Sequence, residues 1–518
     1  GSEKDTVVLE CSHIVAADGA YSKVRRDVGI CMSGERDLET FASIHFSSTE
    51  LGKKLISTGN GAMLSFVFNE ETIAVVVAHD MRKGDWVIHV PFFPPIQSAK
   101  DFENKNVVEN IIRACLGTSF TDDINFDLHS VRAWGMHATR ADSFSDLDNR
   151  IFLVGDAAHQ FPPSGGFGVN AGLVDAHNLA CKLTFVKNGF APNSYLSNYD
   201  MERRPVVEEA IQVAVDNYRR GLIPAKILGL DRGVVSSAMS VINTLSPQLN
   251  KIAKLYPATG NEADPLNVSK IMFDSLLQAG RFHLNGYGSE KSTFDTRSLL
   301  NKFYDYDKAR QRLKEIVENK EEGLPLLFPH IDIGFKYCID PARLENTRGT
   351  ISEQGDNILS WTSPPHHRTM SGNYDDGRTR CSLRPGCIIP HVYLRKTQTK
   401  STISSLDLCN LGTTFTFIAS DLKLIRAMVA ELKKNPLHKE NKTLMTKFIL
   451  IVPTSQQNNT FDVEALDIAS VFIDISGDWK ALCDEWDVSG VLVRPDQHIQ
   501  LVLSNESDLV SKIAQLSF

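Results

Sequence analysis

The chain reads as an α/β protein with more than one domain, and three observations predict this. Apolar strand-length runs alternate with helical stretches at both ends of the chain, β-type runs with polar breaks fill residues 40 to 93, and Ile151–Leu179 (IFLVGDAAHQFPPSGGFGVNAGLVDAHNL) joins strand, Gly/Pro-rich loop and helix without a gap. Its 518 residues exceed the usual size of one domain, and 42% hydrophobic with 23% charged residues is ordinary globular composition.

Taken in order, an apolar strand leads into Asp18-Gly19 and a helix bearing Ser22 and Arg25. FASIHFS, AMLSFVF, TIAVVVAH and DWVIHVPFF then predict an antiparallel meander. KNVVENIIRACL, residues 105 to 116, has apolar positions at helical spacing, and HSVRAWGMHAT reads as a returning strand. Ile151–Val154 predicts a buried strand, and the helix after it is expected from near Asn170 to Gly189, a C′ glycine. Pro205 is expected to open a further helix, PVVEEAIQVAVDNYRRGL, as a first-turn proline. Residues 211 to 320 read as mostly helical, and Thr347–Asp376 as a long loop rich in Ser, Gly, Pro, His and Asn. The tail alternates strands (TFTFIA, KFILIVP, ASVFIDI, GVLVRP, IQLVL) with helices (DLKLIRAMVAELKKN, ESDLVSKIAQL), the pattern of a compact α/β domain.

The chemistry concentrates after the strand Ile151–Val154. Gly155-Asp156 puts a small residue and a carboxylate at the strand's carboxyl edge, where open α/β sheets bind ligands, and an acceptor there suits a sugar or ribityl hydroxyl. Pro162, Pro163, Gly165, Gly166 and Gly168 give fixed or side-chain-free backbone that lets main-chain N–H groups approach a flat ligand. The helix start beyond them, at Val169 and Asn170, offers free amides and a positive dipole end to an anion. A reduced flavin carries its negative charge around N1 and the C2 carbonyl, so these features point to a flavin.

The segment resembles the GD motif of the single-component aromatic-ring flavoprotein monooxygenases, the family of para-hydroxybenzoate hydroxylase and phenol hydroxylase, and DAHNLACKL continues the match. Upstream, CSHIVAADGAYSKVRRDVGI resembles the family's DG motif, with Asp18 and Asp156 138 residues apart. Weaker echoes are LSNYDMERRPVVEEA, IGFKY, and RPGCIIPHVYL with SGVLVRPDQHIQLVL, the last two resembling the ends of the thioredoxin-like appendage of the phenol hydroxylase branch. The resemblance implies an FAD/NAD(P)-binding Rossmann-like domain with an inserted α+β substrate domain and a C-terminal thioredoxin-like domain. It further implies a GxGxxG unit ahead of the DG motif; the chain starts inside the strand before DG, so the expectation is a family member lacking that N-terminal unit. Gly166-Phe-Gly168-Val-Asn-Ala171 fits GxGxxA but lies far beyond its strand and fails the context test.

On this reading residues 1–35 and 136–225 form parts of the FAD domain, 36–135 the substrate sheet, 226–345 a helical substrate region, 346–383 a linker and 384–518 the tail domain. The resemblance implies an FAD-dependent monooxygenase that hydroxylates a phenol-like aromatic with NAD(P)H and O2 through a flavin C4a-hydroperoxide. Expected cofactor-binding residues are Asp18, Gly19, Arg25, Gly155, Asp156, Pro163, Gly165, Gly166, Gly168, Val169 and Asn170. No side-chain nucleophile is required and no catalytic base is assigned; Arg132, Trp134 and Tyr337 are candidates for lining the substrate pocket. The alternatives are a flavin-fold protein that hydroxylates nothing, favoured by Cys181 where the family often has Trp, and epoxidation or halogenation on the same scaffold, which the tail argues against.

Other features receive plainer readings. A net charge of -8 argues against a nucleic-acid surface, and runs such as IAVVVA and FILIVP fall short of the roughly 20 residues of a membrane helix. Nine cysteines without a CxxC pair read as reduced thiols of a soluble intracellular protein, and exclude dithiol chemistry in the tail. A homodimer joined through the tail is compatible with the sequence. His159 reads as a structural hydrogen-bonder under the cofactor. His366-His367, near Asp375 and Asp376, lack helical metal-ligand spacing and read as a solvated loop, so no metal is expected. Gly286-Tyr287-Gly288 reads as a turn and Glu318–Glu322 as a solvated helix end.

Overall fold

A computed structural model describes residues 8–224 except 69–71, 93–99, 101, 103 and 117–123, then residues 311, 312, 314, 315 and 337, and residues 383–513 except 410–413, 435–445 and 457–467. The loop expected at 347–376, with His366, His367, Asp375 and Asp376, lies outside the described residues, as do Gly286, Tyr287, Gly288, Glu318–Glu322 and nearly all of the helical stretch beyond 224.

In chain order the elements are β1 (Ile14–Ala16), α1 (Lys23–Asp27), β2 (Met32–Ser47), α2 (Thr49–Ser57), β3 (Leu64–Phe68), β4 (Ile73–Asp80), β5 (Asp85–Pro91), α3 (Lys105–Leu116), β6 (Asp127–Ala141), β7 (Ile151–Leu153), β8 (His159–Gln160), α4 (Phe167–Lys187) and α5 (Asn198–Gly221). The tail adds β9 (Tyr393–Lys396), β10 (Thr402–Ser404), β11 (Phe415–Ala419), α6 (Leu422–Lys434), β12 (Thr446–Pro453), β13 (Ile468–Asp474), α7 (Asp478–Trp486), β14 (Gly490–Val493), β15 (Ile499–Leu503) and α8 (Leu509–Ile513). Two compact units result: Gly1–Gly34 with Thr139–Ala214 and Leu326–Phe518, and Glu35–Ala138 with Val215–Pro325.

In the first unit β1 and β7 pair in parallel, Ile14 against Ile151 through Ala16 against Leu153, and Val154 N–H extends the ladder to the Ala16 carbonyl at 3.0 Å. Parallel strands bury both faces, which suits the all-apolar β7. Phe144, Phe152, Leu179, Tyr199 and Val207 form the core beneath. Tyr199 buries its ring and donates its hydroxyl to the Leu153 carbonyl at 2.7 Å, tying α5 to β7. β8 pairs with Thr139 and Arg140 at the end of β6.

Helix α5 starts at Asn198, so Pro205 lies inside it and not in its first turn as the sequence predicts. A proline there removes one backbone hydrogen bond and crowds the preceding turn. The turns before it are held by side chains instead: Tyr199, Glu202 and Arg203 are buried anchors, and the Asp200 carboxylate accepts the Phe144 amide at 2.8 Å. Tertiary packing overrides the local signal.

The tail sheet has the order β10-β9-β13-β12-β11-β14-β15, with β11, β12 and β13 parallel at its centre and antiparallel strands outside them. The central run Phe448–Val452 is buried at every position, as a strand covered on both faces must be. Phe417, Leu450, α6 residues Leu424, Ile425 and Met428, and Leu509 of α8 fill one side, where Phe185 of α4 meets Phe415 edge-on. Ile418, Ile451, Phe472 and Trp479 of α7 fill the other.

The second unit holds the predicted meander. β3, β4, β5 and β2 are neighbours with antiparallel pairing, followed by β6. Side chains alternate along β4: Ala74, Val76 and Ala78 are buried against Val108, Ile111 and Ile112 of α3, while Val75 and Val77 point to the other face.

Candidate functional site

The strand β1 delivers Asp18 and Gly19 to a turn in which Gly19 has φ +82°, a conformation side chains rarely adopt. The Asp18 carboxylate accepts the amides of Lys23 at 2.8 Å and Val24 at 3.2 Å, and hydrogen bonds led by that from Ser22 hold its pKa below the usual aspartate range. Asp18 therefore caps α1. Ser22 caps the same helix by accepting the Arg25 amide. Arg25 is buried and donates from Nη1 to the Ala157 carbonyl at 2.7 Å and from Nη2 to the Ala20 carbonyl, while Gln160 also donates to Ala20. These bonds fasten the two turns, far apart in sequence, side by side at the ends of the paired strands.

At the second turn Gly155 has φ +60°, and a Cβ on Gly172 of α4 would stand 3.2 Å from the Gly155 Cα, so both glycines permit close packing of turn and helix. Asp156 is exposed, and among the described residues its carboxylate has no hydrogen-bond partner. Pro163, Gly165 and Gly166 follow in an exposed to half-exposed loop closed by the bond from Gly166 N–H to the Pro163 carbonyl. A Cβ on Gly165, whose φ is +130°, would strike the Phe167 ring at 2.5 Å. Helix α4 begins at Phe167, three residues before the predicted start, from a left-handed Gly166 with no side-chain cap. The cap residue itself thus supplies no side-chain acceptor to this helix start, which carries Gly168, Asn170 and the exposed Val169 and Leu173. A flat, partly anionic ring suits an uncapped N-terminus with apolar flanks.

Residues that sequence reasoning missed lie beneath this surface. The fully buried Asp175 of α4 accepts from the Gly155 amide at 3.2 Å, pairs with His159 Nε2 at 2.6 Å and accepts from Arg203 Nε at 2.7 Å. Burial pushes its carboxyl up, but the His159 hydrogen bond and charge and the Arg203 guanidinium outweigh this and hold it below the usual range. His159 is the structural hydrogen-bonder the sequence suggested.

One and two turns along α4, Asn178 and Lys182 both donate to Glu202, at 2.9 Å and 2.6 Å, and Glu202 also receives a two-pronged contact from Arg494 of the tail, which in turn grips Asp496. Burial alone would neutralise Glu202; the charges of Arg494 and then Lys182 depress its pKa instead. Tyr337 stacks on His498 with ring centroids 4.2 Å apart, and the guanidinium carbons of Arg203 and Arg494 lie 6.0 Å and 5.7 Å from its centroid. Its ring is thus part of the interior; the sequence reading that gave it a place lining a pocket does not hold. DAHNLACKL, YDMERRP and VRPDQHI, together with Tyr337, the one described residue of IGFKY, converge here. The available signal was three polar residues, Asp175, Asn178 and Lys182, at i, i+3 and i+7 on a helix that is otherwise apolar on that side.

These carboxylates carry a pH dependence of known sign. Asp175 and Glu202 have folded pKa values below their unfolded values near 4, so their stabilisation is complete above roughly pH 4.5 and is lost as pH falls through the folded values. The expected result is a melting temperature that drops steeply between about pH 4.5 and 3 and drops less in Glu202→Gln.

Among the described residues no helix is long and apolar enough to cross a membrane, no group of His, Cys, Asp and Glu could hold a metal, and the seven described cysteines are free thiols. Burial pushes the Cys181 thiol up to about 11.

Comparison with known proteins bears on the same region. The family model for the FAD binding domain matches residues 1–214. A 4-methyl-5-nitrocatechol 5-monooxygenase of Burkholderia sp. is 35% identical over 217 residues, 41% of this chain and 38% of its own. The tetracenomycin B2 monooxygenase-dioxygenase of Streptomyces olivaceus is 31% identical over 239 residues, 44% of this chain and 42% of its own. The chain thus spans about two fifths of the length of these curated relatives. The flavin-dependent monooxygenase PieE, solved with FAD and substrate, superposes with a TM-score of 0.58 at 18% identity, covering 96% of this chain and 68% of PieE, so the mixed α/β fold is shared with it. Residues 1–214, which carry both turns, α4 and the buried anchors of α5, are thus the part of the chain that is similar to the FAD binding domain family.

Proposed function

We propose that the chain holds the flavin-ring side of an FAD site and serves an FAD-dependent monooxygenase acting on an aromatic substrate with NAD(P)H and O2. The observation that carries this reading is the uncapped start of α4 behind the Pro163–Gly168 loop, with the unpartnered Asp156 carboxylate on the neighbouring turn. FAD, when bound, supplies hydride acceptance from the nicotinamide and activation of dioxygen.

The chain's own work is geometric. Asp156 accepts a ribityl hydroxyl, and the amides of Val169 and Asn170 stabilise negative charge at N1 and the C2 oxygen. Pro163, Gly165, Gly166 and Gly168 present backbone to the ring edge, and Gly155 keeps side chains away from the ribityl path. Arg25 acts on the cofactor by fixing the two turns together, and Asp18 and Gly19 by shaping the first turn and the start of α1. The relatives named for nitrocatechol and tetracenomycin substrates support a phenolic or polycyclic aromatic substrate.

Asp156→Ala tests the reading, because the side chain is exposed and its loss disturbs no described contact. The expected result is FAD binding weakened at least tenfold, measured by quenching of flavin fluorescence, with an unchanged melting temperature. Unaltered FAD binding in this variant would remove Asp156 from the site.

A further inference from the structure

The second unit carries a polar arrangement that the cofactor site does not use. The sheet face opposite α3 is half-buried and presents Phe41 and Ser43 of β2, Val87 and His89 of β5, Val75 of β4 and Trp134 of β6. Phe41 and Trp134 stack with centroids 5.1 Å apart and planes 25° from parallel, and the His89 ring stands edge-on to Trp134 at 88°. This is an aromatic surface with one polar seam.

The seam fixes a tautomer. Trp134 Nε1 can only donate, and it donates to Ser43 Oγ at 2.7 Å. Ser43 Oγ also lies 2.7 Å from His89 Nδ1, the remaining partner for the hydroxyl proton among the described residues. The hydroxyl therefore donates to Nδ1, Nδ1 is the acceptor nitrogen, and the ring proton sits on Nε2. Burial, and next the charge of His79, lower the His89 pKa, so the ring stays neutral at neutral pH and keeps this single donor. Among the described residues Nε2 takes no hydrogen bond.

We propose that His89 is a specificity-determining residue whose Nε2–H donates to a phenolic hydroxyl or ring carbonyl oxygen of a flat aromatic substrate lying on the Phe41–Trp134 surface. This rests on the monooxygenase reading above and narrows its substrate class. A ring lacking the oxygen leaves the donor unpaired and binds less well.

The test uses the full chain with two probes, 1-naphthol and naphthalene, in equilibrium dialysis with and without FAD. The expected result is 1-naphthol bound roughly three- to tenfold tighter than naphthalene. His89→Phe is expected to erase that preference while still binding naphthalene, and His89→Gln, which keeps an N–H donor, to restore most of it. Nitrogen-15 spectra of histidine-labelled wild-type chain should place the His89 proton on Nε2, a readout that needs no variant. A proton on Nδ1, no preference in the wild type, or a preference surviving in His89→Phe overturns the proposal. FAD binding beside any of these leaves the flavoprotein reading intact; a His89-dependent preference without FAD binding sinks that reading and keeps this one.

Discussion

Replacing Arg494 by methionine is expected to destabilise the first unit by about 3–5 kcal/mol, read from the urea midpoint at neutral pH. The guanidinium is buried and faces two carboxylates, Glu202 of α5 and Asp496 of its own segment; among the described residues Lys182 is the further cation on Glu202, and the His498 ring stands 3.5 Å from Asp496. Methionine fills much of the volume, so the loss is electrostatic: two buried carboxylates face each other with one charge left to balance them. A protonated carboxyl relieves that strain, so the deficit should shrink as pH is lowered towards 4, opposite to the wild-type trend. The double change Arg494→Met with Glu202→Gln should recover part of the loss, because removing both partners costs less than orphaning one. A midpoint shift below 1 kcal/mol would mean that the network contributes little and that the apolar contacts of α4 with the tail sheet, Phe185 on Phe415 among them, carry the attachment.

The second large effect belongs to Asp175. Asp175→Ala leaves Arg203 and His159 buried without their carboxylate and frees the Gly155 amide, at a cost of about 3–5 kcal/mol in stability. Asp175→Asn is the sharper experiment. It keeps the shape and one acceptor oxygen, so the fold should survive at a smaller cost; with that oxygen held by the Arg203 guanidinium, the donor-only amide nitrogen takes the place of Oδ2, where it can accept from neither His159 nor the Gly155 N–H. The turn that carries Asp156 then loses its anchor. FAD binding is expected to weaken about tenfold or more in Asp175→Asn although Asp175 has no exposed surface; binding equal to wild type would show that the Gly155 turn holds its own shape.

The two effects show what sequence could and could not reveal. Gly155, Asp156, the Pro163–Gly168 loop and the start of α4 are contiguous, and each residue type has a local reason, so this surface was legible as a candidate site, with the helix start displaced by three residues. The meander in the second unit was legible too, since alternation along β4 is a property of eight adjacent residues. Glu202 and Arg494 are 292 residues apart, and nothing local to either says that the other will neutralise it. Asp175 reads as a polar position on a long helix until α5 brings Arg203 beneath it. Pro205 misled for the complementary reason: its local meaning is a helix start, and buried anchors from Tyr199 to Arg203 overrule it. The polar seam on the second sheet depends on register, which aligns Ser43 with His89 and needs the pairing itself.

The most direct test of the FAD-site assignment is hydrogen–deuterium exchange of the full chain with and without saturating FAD. The account predicts slowed exchange in Gly155–Ala157 and in Gly165–Asn170, where the amides at the start of α4 gain an acceptor, and weaker protection of the same peptides in Asp156→Ala. Saturable FAD binding that leaves both segments unprotected, or no saturable binding, would contradict it.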